Sequence, residues 1–310
     1  MPPPAVFDPT EVVRRLVAAP GRADRLRHLE VLPAREGRRE QWPGWVPAEL
    51  VTAFGARGIT APWAHQVQAA QAAHRGEHVV VATGTASGKS LAYLMPALSA
   101  VLAGRGAHGR PMRHGATVLY VSPTKALAND QLDGLLELGV PGLSAGTHDG
   151  DSSREQRDWV RDFGEYVLTN PDMLHHSLLP GHPRWARFLG SLRYVVVDEC
   201  HQYRGVFGAH VAQVLRRLRR VCASYGAQPT FVLASATVAD PAVSAARLTG
   251  LPVRAVTDDA SRRGRVVLAL WEPPFASHAG ENGAPVRRSA GAEVADLLAD
   301  LVLEGVRSLA

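Results

Sequence analysis

Between residues 77 and 257 the chain alternates short β-branched runs with helical stretches, and this alternation constrains the fold more than any other feature of its 310 residues. The runs lie at 79–82, 117–121, 143–147, 166–169, 194–198, 230–235 and 253–256. Strands joined through helices run parallel, because each crossover returns the chain to the same edge of the sheet. Most of the runs are too uniformly apolar to have a wet face, so helices must cover both sides. The pattern predicts an α/β domain, a doubly wound parallel sheet over residues 61–257, with its ligand site outside the carboxyl ends of the strands.

The flanks read differently. Residues 1–60 form a helical, basic extension: Asp8-Pro9 opens a helix over 12–17 and Pro47 another over 50–54, since proline suits the first helical turn. Residues 22–39 are strongly basic, either a solvated connector or an arm that touches nucleic acid. After Pro252 come a strand at 265–271, a loop rich in Gly, Pro, Ser and Arg at 272–291, a helical pattern at 292–303 and a strand beginning at 306–309. One strand and one helix cannot bury a sheet of their own. Residues 258–310 therefore read as a linker and the truncated start of a second α/β domain.

Composition narrows the setting. A net charge of +5 suits a polyanionic partner but is modest enough for any soluble basic surface. The two cysteines, Cys200 and Cys222, have no ligand-spaced companions, which fits a reducing, cytoplasmic compartment. No apolar run approaches the roughly 18 residues needed to span a bilayer, and the start lacks the layout of a signal peptide.

Chemistry enters at HVVVATGTASGKSLAYLMPAL, where a strand, a small-residue loop and a helix follow in direct succession. Phosphate oxygens need close approach to backbone N–H groups, and a helix N-terminus adds donors and a favourable dipole. Thr83, Gly84, Thr85, Ala86, Ser87, Gly88, Lys89 and Ser90 supply such a P-loop, with Lys89 reaching the β- and γ-phosphates and the Ser90 hydroxyl ligating Mg²⁺. The strict pattern has Gly where this chain has Thr83, and Gly84 follows. Downstream, YVVVDECH ends an apolar strand in Asp198-Glu199. Asp198 suits a Mg²⁺ site and Glu199 the orientation and deprotonation of an attacking water; an ordinary helix cap is the other reading.

In order and spacing the set resembles the DExH-box helicases of superfamily 2: TGTASGKS as motif I, SPTKALANDQ as Ia, TNPDML as Ib, DECH as II and Ser235 to Thr237 as III. PWAHQ, THDGDSSREQR and DECHQYRGVFGAHVAQVLRRLRR look like the mitomycin-repair branch, akin to the large helicase-related proteins. The resemblance implies a RecA-like first domain that binds ATP and Mg²⁺ and works as a helicase or translocase on single-stranded DNA in repair. An RNA helicase, or a nucleotide-gated binding module without turnover, stays open. It implies Gln66 as the adenine reader, with Trp63 or His65 nearby; a capping or surface glutamine is the alternative. Thr124, Lys125, Thr169 and Asn170 match positions that hold nucleic-acid backbone, and His201 joins Lys89, Asp198 and Glu199 in catalysis. His201, Ser235 and Thr237 match the groups that link nucleotide to track. The family completes its site with arginines from a second RecA-like domain, so this chain alone is expected to turn over negligibly. The branch's cysteine-rich C-terminal domain has no counterpart in the sequence.

Residues 202–210 are the most individual segment, bringing Tyr203, Arg204 and Phe207 beside Gly205 and Gly208. Either a base stacks on Tyr203 or Phe207 and couples hydrolysis to binding, or the segment is a glycine-hinged loop packed on the core. Beyond it, Val211, Val214, Leu215, Leu218 and Cys222 form a helical stripe with Arg216, Arg217, Arg219 and Arg220 off it, which usually marks a solvated face. Asp149 and Asp151 read as a turn and cap, and His175-His176 as structural.

Overall fold

A computed structural model of the chain describes residues 8–104 and 115–310. These fall into two compact units, Gly37–Ser261 and a second made from the residues before it together with Arg262–Ala310. The second unit opens with α1 (Pro9–Ala18), where the Asp8 carboxylate accepts the Thr10 amide at 2.8 Å, and continues into a strand, β1 (Leu26–Leu32).

The larger unit carries the alternation. Its elements are α2 (Ala48–Ala56), α3 (Ala64–His74), β2 (Val79–Ala82), α4 (Ser90–Ala103), β3 (Thr117–Val121), α5 (Lys125–Leu136), β4 (Ala145–Thr147) and α6 (Arg154–Phe163). After them come β5 (Tyr166–Thr169), α7 (Pro171–Met173), α8 (Ala186–Gly190), β6 (Leu192–Val197), α9 (Gly205–Ser224), β7 (Thr230–Ser235), α10 (Pro241–Thr249) and β8 (Arg254–Val256). All seven expected runs pair into one parallel sheet of order β4-β5-β3-β6-β7-β2-β8. Both faces are covered, as the unbroken apolar runs require. On one face α2, α3, α4 and α5 bury Leu50, Phe54, Tyr93 and Leu98; on the other, α8, α9 and α10 bury Phe188, Leu215 and Leu248. Because all the strands run parallel, the loops after β2, β3, β5, β6 and β7, which carry motifs I, Ia, Ib, II and III, share one edge of the sheet.

The flanks correct the sequence expectations. The basic stretch, expected as a solvated connector or an arm, contains a strand: β1 pairs antiparallel with β9 (Val266–Trp271), Leu29 opposite Ala269 and Val31 opposite Val267. Three of its arginines are paired within the unit, Arg22 with Asp300, Arg25 with Glu293 and Arg27 with Glu272. Glu293 is nearly fully buried and also accepts from Trp271 Nε1 at 2.9 Å and from Arg288 at 3.0 Å. The expected loop 272–291 contains a hairpin, β10 (Phe275–Ala279) with β11 (Pro285–Arg287), and α11 (Ala290–Leu303) follows. No strand forms at 306–309. The boundary at residue 60 moves to 36, because residues 37–63 pack into the larger unit through Trp42, Phe54 and an Arg39–Trp63 backbone bridge. The boundary at 257 moves to 261, where the Arg38 amide donates to Ala260 and the Ala260 amide to His65.

Candidate nucleotide and nucleic-acid site

The loop between β2 and α4 has the strained turns a phosphate cradle needs. Ala86 sits at φ 59° and Gly88 at φ 76°, the left-handed region, which costs an L-residue about 1–2 kcal/mol and persists where the surroundings over-determine it. Thr83 and Ser87 hydroxyls lie 2.7 Å apart and brace the loop from beneath, so the departure at Thr83 is accommodated as a buried side-chain bond. The Lys89 ammonium folds back, donating to the carbonyls of Gly84 at 3.0 Å and Thr83 at 3.3 Å. These are weak, exchangeable partners for a cation that a phosphate would attract.

Gln66 locks the loop from the other side. Its Oε1 accepts the Trp63 amide at 2.7 Å, capping α3, and its Nε2 donates to the Gly88 carbonyl at 2.7 Å. Both ends of the buried amide are therefore engaged, and the capping alternative describes the geometry present. Beside it a cavity of about 360 Å³ is lined by Trp63, Arg39, Gly88 and Ser90, the Arg39 guanidinium lying 4.5 Å from the Trp63 ring centroid. Trp63 borders this space. His65 instead turns inward: its Nδ1 accepts the Ala260 amide at 3.2 Å, and burial lowers its pKa despite the nearby Asp259. Gly84 is where Asp259 comes close, since a Cβ there would lie 3.0 Å from Oδ2.

At the end of β6, Asp198 is held by groups the sequence reading passed over. The Tyr120 hydroxyl donates to Oδ2 at 2.6 Å, and the Tyr93 hydroxyl lies 3.4 Å from the same oxygen and 3.1 Å from Gln131 Oε1. Burial above all pushes both phenols far above their ordinary range, so they remain protonated donors. Oδ1 accepts the Glu199 amide at 2.8 Å, fixing Glu199 at φ 46°. A non-glycine residue there is uncommon, and such backbone strain clusters at active sites. Among the described residues no cluster of three acidic, His or Cys side chains could cage a metal alone. One carboxylate and one hydroxyl, Asp198 and Ser90, nevertheless fit Mg²⁺, which keeps waters and arrives with phosphates.

His201 Nδ1 faces two partners, the Ala236 amide at 3.1 Å and Glu199 Oε2 at 3.1 Å. One ring nitrogen cannot accept from the first and donate to the second at once, so either tautomer serves only one of these partners. The link to motif III thus runs through the Ala236 backbone. Ser235 Oγ donates instead to the Ala236 carbonyl at 2.8 Å, and Thr237 is exposed.

The residues matched to nucleic-acid contact gather at the ends of β3, β5 and β4. Thr124 caps α5, accepting the Leu127 amide at 3.3 Å, and Asn170 caps α7, accepting from Met173 at 2.9 Å. Thr169 is buried and donates to the His148 carbonyl at 2.7 Å. Lys125 pairs with Asp151 at 2.7 Å. Asp149 Oδ1 takes the amides of Asp151 and Ser152, both at 2.9 Å, the turn expected there.

The segment after motif II is corrected. Gly205 begins α9, so Phe207 and His210 are helical and no hinged loop exists. Gly208 is required by contact: a Cβ there would lie 2.4 Å from the Tyr203 carbonyl oxygen. Tyr203 is buried in the core and offers no face to a base, whereas Phe207 is 45% exposed. Arg204 Nε donates to the His201 carbonyl at 2.6 Å.

Residues 63–245, more than half the chain, match the family model described as DEAD/DEAH box helicase. A Bacillus subtilis protein named uncharacterized ATP-dependent helicase YprA is 39% identical over 89% of this chain and 35% of its own length. The ATP-dependent helicase HRQ1 of Saccharomyces cerevisiae is 32% identical over 97% of this chain and 27% of its own. The chain thus spans about a third of these relatives. Among solved structures, the DUF1998 helicase MrfA bound to DNA superposes with a TM-score of 0.84 at 36% identity, covering 96% of this chain and 40% of that one. The same helicase with DNA and AMPPNP matches equally well, at a TM-score of 0.84 and 37% identity.

Proposed function

Because the chain belongs to the DEAD/DEAH box helicase family, we propose that it forms the nucleotide-binding portion of an ATP-driven translocase that moves along single-stranded DNA, in a repair setting. The observation that carries the reading is the meeting of three motifs on one hydroxyl. Tyr93, on the helix that begins at Ser90, reaches both the Asp198 carboxylate and Gln131 on the helix that begins at Lys125. The likeness to a helicase solved with DNA supports DNA over RNA.

In this account the backbone amides of residues 84–90 receive the phosphates, and Lys89 leaves the carbonyls of Thr83 and Gly84 for them. Ser90 and Asp198 are the residues that would hold Mg²⁺, which when bound would neutralise phosphate charge. Tyr120 and Tyr93 fix the Asp198 carboxylate, so it needs no reorganisation when the ion arrives. Glu199, projected from its left-handed backbone, orients the attacking water and takes its proton. His201 then exchanges Glu199 for the Ala236 amide, passing the change to Ser235 and Thr237. Gln66 reads adenine by giving up its bond to Gly88. Lys125, Thr124, Thr169 and Asn170 hold backbone without choosing sequence. Catalytic turnover needs facing arginines of a second domain, so the chain alone binds nucleotide and hydrolyses it negligibly.

Fluorescence anisotropy with labelled oligo(dT) and oligo(U), each with AMPPNP, tests the substrate class. Tighter binding of DNA is expected. Tighter binding of RNA overturns the DNA reading, and binding of neither overturns the translocase reading. Rapid ATP turnover by the isolated chain contradicts the requirement for a second domain.

A further inference from the structure

Beside motif Ib, whose Pro171 and Asp172 form part of its lining, the surface holds a cleft of about 480 Å³ to which the motif roles assign no ligand. One wall is the start of the crossover after β5, where α7 runs into a single π-helical turn, Leu174–Leu178, closed by the Leu179 amide on the Leu174 carbonyl at 3.0 Å. The wider turn places the exposed rings of His175 and His176 side by side, their centroids 4.5 Å apart. π-turns are rare and concentrate at functional positions. The opposite wall is the outer face of α9, which contributes Phe207, His210, Arg217 and Arg220.

The arginines of α9 divide into two kinds. Arg216 and Arg219 are used: they donate to the carbonyls of Arg247 at 2.8 Å and Thr249 at 3.1 Å, capping the end of α10. Arg217 and Arg220 face the cleft, and among the described residues neither has a hydrogen bond or ion pair. Asp172 is the one carboxylate on the lining. Two unpaired guanidiniums, three imidazoles and a half-exposed phenyl ring converge on one space, and its floor, Pro171 and Asp172, directly follows Thr169 and Asn170. Guanidiniums fit phosphate, imidazoles donate to phosphate or stack, and phenyl rings stack on bases without selecting among them.

We propose that this cleft is a second nucleic-acid subsite, which takes the single strand as it leaves the motif Ib residues, with Arg217 and Arg220 on its phosphates and Phe207 against a base. This rests on the reading of the chain as a nucleic-acid translocase. It also gives Phe207 a function that the buried Tyr203 cannot share. Gripping the strand on the helix that leaves motif II connects the length of strand held to the loop bearing Glu199 and His201.

The test is anisotropy of the 310-residue chain with labelled oligo(dT) and AMPPNP across a salt series, together with photocrosslinking of an iododeoxyuridine-substituted strand. Arg217→Gln with Arg220→Gln is expected to weaken binding at least about tenfold and to flatten the log K against log salt slope by about 1.4, at roughly 0.7 per phosphate contact on a single strand. Phe207→Ala is expected to weaken it about five- to a hundredfold. Crosslinks should map to residues 205–220. All variants should keep the wild-type melting temperature, which confirms folding. The proposal is overturned if Lys125→Ala weakens binding while the double arginine variant and Phe207→Ala do not, or if crosslinks avoid 205–220; the translocase reading would survive either result. Loss of response in Lys125→Ala as well would remove the translocase reading too.

Discussion

Replacing Gly88 by alanine probes the P-loop where backbone and side chain constrain it together. At φ 76° an alanine incurs about 1–2 kcal/mol that glycine does not. Its Cβ would also sit 2.6 Å from Gln66 Nε2, inside contact distance. Gln66 is buried and bonded at both ends of its amide, so it can move only by breaking its bond to the Gly88 carbonyl, a loss of about 1 kcal/mol. The sum is about 2–3 kcal/mol. For a unit the size of Gly37–Ser261, at about 2–4 °C per kcal/mol, the melting temperature should fall by about 4–12 °C. Nucleotide affinity should fall at least about tenfold, since the amides of Gly88 and Lys89 are re-aimed together. Differential scanning fluorimetry and titration with a fluorescent ATP analogue read the two effects. A variant that melts within about 1 °C of wild type and binds the analogue unchanged would refute the claim that Gln66 and the left-handed turn fix this loop.

Tyr120→Phe should remove the 2.6 Å bond to Asp198, a charge-assisted interaction worth about 1.5–3 kcal/mol, and raise the Mg²⁺ concentration needed for half-maximal nucleotide binding; an unaltered Mg²⁺ titration contradicts this. His148 should make the fold sensitive to acid: burial above all, with Arg157 assisting, holds its pKa down to about 4 against an ordinary 6.5. The folded state thus resists a proton that the unfolded chain accepts. Stability is fully present above about 6.5 and is lost as pH falls toward 4, by up to about 3 kcal/mol, so His148→Asn should show a shallower loss of melting temperature across that window.

What could be read in the sequence was local, and what could not was remote in the chain. The strand, small-residue loop and helix at 78–98 are contiguous, so periodicity and residue size identify the phosphate cradle directly. The same holds for the apolar run that ends in Asp198. β1 was hidden because its partner, β9, lies more than 230 residues later, and because its arginines look solvated until Asp300, Glu293 and Glu272 are brought to them. Tyr93 and Tyr120 read as core because they stand in apolar runs; only the pairing of β3 with β6 aims the Tyr120 hydroxyl at Asp198. Gly205 and Gly208 looked like hinges, yet one opens a helix and the other admits the Tyr203 carbonyl. Ala236 has no side-chain chemistry to notice, and it acts through its amide alone.

The central claim is that the loop after β2 binds nucleotide phosphate through Lys89. Isothermal titration of the chain with Mg-AMPPNP, wild type against Lys89→Ala, tests it most directly. One site per chain in the wild type and an affinity reduced at least about a hundredfold in the variant are expected, since about 3 kcal/mol of charge-assisted hydrogen bonding is removed. Equal affinity in the two proteins would contradict the account.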